Sequence, residues 1–217
     1  MHNSHKKPWT TKAVMEQIYS KHLWGGRSKD FYSGEGSHLV NIIRPYIVTV
    51  TEFLKTHNST LSICDLGCGD FNVGKELIPY SSNYYGIDIV SDLILRNQKL
   101  FKANHLEFYC LDISKDDLPA ADCAILRQVL QHLSNEEIML ILKKLTSYRY
   151  IIITEHLPAG DFVPNKNQIA NLGNRLKQLS GVNVDVEPFN FQFLKKETLC
   201  DIPVINGRIT TLLYQIF

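Results

Sequence analysis

The chain has 217 residues, 44% hydrophobic and 21% charged, a globular composition that excludes disorder, collagen and coiled coil. Lys+Arg number 23 against Asp+Glu 22, a formal charge of +1 that supplies no long-range pull on polyanions and so disfavours nucleic-acid partners. The length suggests one domain with appendages, no apolar run approaches a membrane span, and no apolar segment follows the charged start Met1 to Pro8 as a signal peptide requires.

Residues 1–37 read as an N-terminal extension or lid, irregular apart from a helix over 11–22 and a glycine-marked stretch from Trp24 to Ser37. Residues 38–217 read as the main domain. Apolar positions 39, 42, 43, 46, 47, 50, 53 and 54 recur every three or four and predict an amphipathic helix over 39–54, with Pro45 suited to its start or to a kink. Strands over 61–65, 84–88, 106–111, 123–126 and 150–155 then alternate with helices over 73–78, 91–101 and 134–145. The last helix opens on Ser134-Asn135-Glu136-Glu137, a capping box. These strands are short, nearly all apolar and bounded by Gly, Asp or Asn, the pattern of a parallel sheet covered on both faces. Prolines and glycines break the rhythm over 157–190, where Ile169, Leu172, Leu176 and Leu179 suggest one helix. Runs over 191–199 and 208–217, joined through Pro203 and Asn206-Gly207, are too close for a parallel crossover and predict an antiparallel hairpin. Cysteines at 64, 68, 110, 123 and 200 form no CxxC pair, and Cys64, Cys110 and Cys123 lie in apolar strand runs as small hydrophobes. A reducing cytoplasm, with neither disulfides nor a metal site, is the expectation.

The informative stretch is Ile63-Cys64-Asp65-Leu66-Gly67-Cys68-Gly69-Asp70-Phe71, which ends a strand and enters a helix. Glycines at such a crossing let the backbone turn tightly and approach a ligand at the sheet edge where doubly wound folds bind nucleotides. The second strand ends in Asp88, followed by Ile89, and the third leads to Asp112-Ile113. An acid at the end of the second strand suits a grip on two ribose hydroxyls.

Asp65-x-Gly67-x-Gly69, then Asp88, then Asp112, each at a strand end, resembles the class I S-adenosylmethionine-dependent methyltransferases over roughly residues 38–217. The resemblance implies a Rossmann-like α/β fold, doubly wound, with seven strands in the order 3-2-1-4-5-7-6, helices on both faces and an antiparallel terminal hairpin. It also implies S-adenosylmethionine as cofactor. Gly67, Cys68, Gly69 and Asp70 would line its methionine part, Asp65 would organise the loop, Asp88 and Ile89 would meet the ribose, and Asp112 with Ile113 would frame the adenine. Gly69-Asp70-Phe71, the run Arg127-Gln128-Val129-Leu130-Gln131-His132-Leu133 and Pro188-Phe189-Asn190 are similar to a group of small bacterial members of unassigned substrate. In the same likeness Gly34-x-Gly36-Ser37 closes over the cofactor and Arg127 stands beside it. One departure stands out: the wider family's third loop glycine is Phe71, a residue better suited to packing than to ligand contact.

Methyl transfer from a sulfonium needs the acceptor atom aligned about 3–3.5 Å from the methyl, and a base only where the acceptor must lose a proton. His132 is the candidate base, with a backbone-bonded linker histidine as the bland alternative. His156 directly follows an apolar strand, and Glu155 is placed to orient a histidine or bind an amine. A small metabolite or sugar-like acceptor, methylated at O or N, is expected. Among rivals, a nicotinamide oxidoreductase is disfavoured because this chain lacks a Gly-x-Gly-x-x-Gly loop, position 72 being Asn, and has no Tyr-x-x-x-Lys pair. Against a nucleic-acid acceptor, the chain has Arg127-Gln128-Val129-Leu130 where amino-group DNA methyltransferases resemble one another in an Asn/Asp-Pro-Pro-aromatic run after the fourth strand, and its lysine pairs at 6–7, 143–144 and 195–196 are scattered. A protein acceptor, or a scaffold that binds cofactor without chemistry, stays open.

Overall fold

The computed structural model describes residues 9–26, 30–169 and 173–217; Lys6, Lys7 and Leu172 lie outside them. Helices α1 (Thr11–Ser20), α2 (Val40–Thr56), α3 (Ser91–Leu100) and α4 (Asn135–Leu145) surround one sheet. Its parallel strands are β1 (Ile63–Leu66), β2 (Tyr84–Asp88), β3 (Leu106–Cys110), β4 (Cys123–Arg127) and β5 (Tyr150–Leu157); β6 (Lys195–Val204) and β7 (Gly207–Gln215) form an antiparallel hairpin. The order is β3-β2-β1-β4-β5-β7-β6, as the family resemblance implies, with β7 antiparallel to β5.

Period-two alternation explains why both faces are covered. In the central β1 and β4, Ile63, Cys123 and Ile125 face a cluster with Tyr46, Val50 and Leu54 of α2, while Cys64, Leu66, Ala124 and Leu126 face Ile138, Ile141, Leu142 and Leu145 of α4. The α4 stripe starts where expected. The Ser134 hydroxyl accepts from the Glu137 N–H, and the Glu137 carboxylate accepts from the Ser134 N–H at 2.9 Å.

Several expectations are corrected. No α-helix forms over 73–78; the chain makes two short 3₁₀ turns, Gly74–Glu76 and Ile78–Tyr80. A Cβ at Gly74 would lie 2.4 Å from the Phe71 ring and 2.8 Å from the Asp65 carboxylate, so this backbone is pressed against the loop before it. Pro45 sits inside α2 and not at its start. β3 is an edge strand with only Phe108 buried, and Cys110 is exposed. Of the helix expected around 169–179, the described residues show one 3₁₀ turn, Arg175–Gln178, that ends in Leu179 at φ +50 with its side chain exposed. The penultimate strand begins at Lys195, because Phe191 instead packs against Tyr214. Pro203 lies within β6 and not in the turn; β6 is the outer strand, where a missing N–H leaves few bonds unmade.

Candidate functional site

The carboxyl ends of β1, β2 and β4 open on one cavity of about 370 Å³. The loop after β1 shapes its floor. Gly67 and Gly69 take φ of +84 and +57, and the Gly67 and Cys68 N–H groups both donate to the Ile87 carbonyl at 2.8 Å. A side chain at Gly67 would strike Val129 and one at Gly69 would strike the Ser33 hydroxyl, at 2.5 and 2.4 Å from a first carbon. Glycine is required at both positions, by the left-handed backbone and by the close approach of Val129 and Ser33.

Three acids meet here in different states. Asp88 accepts from the Gly69 N–H at 3.1 Å and from the Val90 N–H at 3.0 Å, and burial pushes its carboxyl up to about 6. Asp65 accepts from the Tyr84 hydroxyl at 2.9 Å, and burial pushes it up to about 7. Burial also acts to raise Asp112. That effect is outweighed by Lys115, paired at 2.6 Å, and by bonds from the Ser114 N–H and hydroxyl, so its carboxyl stays below the usual range. Asp112 therefore caps its own turn while lining the cavity.

Asp70 ties the preceding segment to the glycine loop. Its carboxylate accepts from the Ser33 N–H at 2.8 Å and pairs with the His38 ring at 2.6 Å, while its N–H donates to the Ser33 hydroxyl at 2.8 Å. From α3, the buried Asn97 amide donates to the Gly69 carbonyl at 2.7 Å, and Arg96 donates to the Asp70 carbonyl at 2.7 Å. Arg127 donates to the Gly36 carbonyl at 2.5 Å and the Ser37 hydroxyl at 3.2 Å, lies over the Tyr46 ring, and keeps a buried Nε without a partner. It is the one lysine or arginine lining the cavity among the described residues.

All twelve cofactor candidates thus line one space: Asp65, Gly67, Cys68, Gly69, Asp70, Asp88, Ile89, Asp112, Ile113, Arg127, Gly36 and Ser37. Of the three catalytic candidates only His132 joins them; its Nδ1 lies 3.0 Å from the Gly173 carbonyl and its ring contacts Trp24. Glu155 and His156 stand outside the lining. Glu155 is buried beneath the turn after β4, accepting from the Leu130 N–H at 3.1 Å, and burial pushes it up to about 8. The His156 ring is half-buried beside Gly207 of the terminal hairpin, and that burial lowers its affinity for a proton. Residue order along a strand cannot reveal which side of the rim a side chain takes.

Sequence reasoning missed Asn97, Ser33, Tyr19 and Gln131. Asn97 carried a signal: an amide in line with Leu93 and Ile94 on the apolar face of a helix is a buried polar group in search of a partner. Ser33 and Tyr19 carried none, since their contacts cross from the irregular N-terminal region.

The raised acids make a stability prediction. Asp65, Asp88 and Glu155 each hold a proton more tightly folded than unfolded. Their contribution is full below the ordinary carboxyl range and is lost as pH rises through about 6, 7 and 8. The melting temperature of the ligand-free chain is expected to decline from about pH 5 to about pH 8, and Glu155→Gln to flatten that decline. Calorimetry across this window checks it; a rising melting temperature contradicts the burial of these acids.

Comparison with known proteins agrees with this geometry. Residues 64–148 match the family described as a methyltransferase domain. A curated protein of Chlamydia pneumoniae, described as an uncharacterized RNA methyltransferase, is 30% identical over 94 residues, which are 43% of this chain. The chain spans about a fifth, 22%, of that relative's length. Two solved structures share the fold. The N-methyltransferase NodS of Bradyrhizobium japonicum, in complex with S-adenosylhomocysteine, has a TM-score of 0.67 and 12% identity, over 94% of this chain and 98% of that one. Magnesium protoporphyrin IX methyltransferase of Synechocystis, with bound S-adenosylmethionine, has a TM-score of 0.61 and 16% identity, over 97% and 99%.

Proposed function

The chain carries a class I S-adenosylmethionine-dependent methyltransferase domain, and from that premise we propose that it methylates an O or N atom of a small organic acceptor. The observation that carries the proposal is the lining of the cavity. Its wall presents strand-end carboxylates and left-handed glycines, and Met15, Tyr19, Trp24 and Ser33 from the N-terminal region complete it, Ser33 directly against Gly69. A volume of about 370 Å³ is of small-molecule size.

The residues fit the cofactor. Asp88 can accept from a ribose diol while keeping its two backbone bonds, since an ionised carboxylate offers about four acceptor sites. Asp112 and Ile113 flank the adenine position, and the Gly67 to Gly69 turn, with Cys68, lines the space for the methionine part. The unpartnered donors Arg127 Nε and Gln128 Nε2, both buried, suit the methionyl carboxylate. Bound there, S-adenosylmethionine supplies a methyl on a sulfur that is already an activated leaving group. His132 then takes the proton that a hydroxyl or ammonium acceptor must lose, and Trp24 shields that end of the cavity from water. Tyr19, Trp24 and Ser33, from the described part of the N-terminal extension, act as the lid. Cys64, Cys68, Cys110, Cys123 and Cys200 are all unpaired, which supports a reducing, cytoplasmic setting.

Equilibrium titration with S-adenosylhomocysteine and with NAD tests the binding half; tight NAD binding without S-adenosylhomocysteine binding overturns it. For the chemical half, labelled methyl transfer into a panel of metabolites and sugars identifies the acceptor. With an acceptor in hand, His132→Ala is expected to leave cofactor affinity near the parent's and to slow transfer roughly 10²–10⁴-fold. An unchanged rate removes His132 from the chemistry. The RNA methyltransferase relative favours one second reading, an RNA acceptor. RNA affinity falling steeply with salt selects it.

A further inference from the structure

Gln131 lines the cavity yet its side chain is buried, and it is fixed at both ends. Its main-chain carbonyl accepts from the Gln168 amide, and its side-chain Oε1 accepts from the His156 N–H at 3.3 Å. A backbone N–H can only donate, so that bond settles the orientation of the amide and turns Nε2 away from β5. There it lies 3.3 Å from Nε2 of His132. At the other edge of the imidazole, Nδ1 lies 3.0 Å from the Gly173 carbonyl, which can only accept. Two fixed partners of opposite sense thus grip one ring. A carbonyl on Nδ1 calls for a proton there, and an amide N–H on Nε2 calls for a lone pair there. The glutamate below serves the same turn: Glu155 accepts from the Leu130 N–H, so both residues that steady the turn answer to the end of β5.

We infer that Gln131 is a positioning residue for methyl transfer. Its buried amide, oriented by the His156 backbone, holds His132 in the Nδ1–H tautomer and keeps Nε2 as the proton-accepting nitrogen. The inference rests on the reading of His132 as the base and deepens it: a base must present a lone pair, and Gln131 decides which nitrogen carries it. When an acceptor proton arrives at Nε2, the Gln131 N–H gives way and the ring becomes an imidazolium with both nitrogens donating. The Gly173 carbonyl already faces Nδ1 and stabilises that form.

Histidine-labelled full-length chain, saturated with S-adenosylhomocysteine and held above the ordinary imidazole titration range, reads the tautomer directly by nitrogen NMR. The parent is expected to show His132 predominantly as Nδ1–H. Gln131→Leu, which removes the amide at similar volume, is expected to change the tautomer ratio roughly threefold to tenfold toward Nε2–H. Gln131→Glu, close in shape, places an acceptor opposite Nε2 and is expected to hold the ring doubly protonated under the same conditions. An Nε2–H parent, or a ratio indifferent to both substitutions in chains that still bind S-adenosylhomocysteine, overturns the inference; the parent spectrum alone decides if neither variant folds. The base reading fails separately, on a parent-like transfer rate in His132→Ala, whatever the spectra show.

Discussion

Replacing Asp88 with alanine is expected to weaken binding of S-adenosylhomocysteine by about 100-fold or more while the chain remains folded. Two hydrogen bonds from ribose hydroxyls to a charged carboxylate contribute roughly 1.5–3 kcal/mol each, and every 1.4 kcal/mol is tenfold in affinity. The same carboxylate accepts from the Gly69 and Val90 N–H groups, so its loss also loosens the glycine loop. Asp88→Asn separates the two effects. The amide keeps one acceptor oxygen, but its NH₂ must oppose either a backbone N–H or a ribose hydroxyl, and an intermediate loss is expected. In the parent, affinity should fall as pH drops through about 6, because burial places the Asp88 titration there and the protonated acid accepts less well. Calorimetric titration at several pH values measures all three effects. An alanine variant with the parent's affinity refutes the assignment of the cavity.

Phe71→Ala is expected to cost about 3–5 kcal/mol of stability, lowering the melting temperature of a chain this size by roughly 6–20 °C. The ring is fully buried and contacts Tyr84, Phe101 and Phe108 edge-on, at centroid distances of 5.5, 5.1 and 4.8 Å. Its backbone, however, sits at φ +64, a conformation that costs a non-glycine residue about 1–2 kcal/mol. Phe71→Gly should therefore be more stable than Phe71→Ala by about 1 kcal/mol, despite removing one more carbon. Chemical denaturation of the two variants side by side gives the answer. If alanine proves the more stable of the two, the left-handed geometry at this position is wrong.

Phe71 also marks where sequence reading succeeds and where it stops. A bulky residue in place of a loop glycine was recognisable as packing, because aromatic area drives burial wherever the chain permits. The alternation of apolar runs with helical periods made a parallel sheet and a terminal hairpin legible, while the strand order came from the resemblance to a known family. Asp88 was legible because it ends an apolar strand, where an acid suits a ribose. Glu155 and His156 satisfied that rule equally well and still stand outside the cavity: at the end of β5 the chain turns toward the hairpin, and Glu155 turns under the loop after β4. Which face a rim residue takes depends on those neighbours. The helix expected over 73–78 is absent where Gly74 closes against Phe71 and Asp65, a local contact that hydrophobic periodicity does not report.

The bonds from Ser33 and His38 to Asp70 bear on the tempo of the molecule. The segment that brings Ser33, Gly36 and Ser37 to the cavity wall is anchored on the very loop against which a donor would rest. If the proposed site holds, exchange of spent donor for fresh would require those anchors to let go, and the residence time of the demethylated product would follow the lifetime of a few hydrogen bonds at one carboxylate.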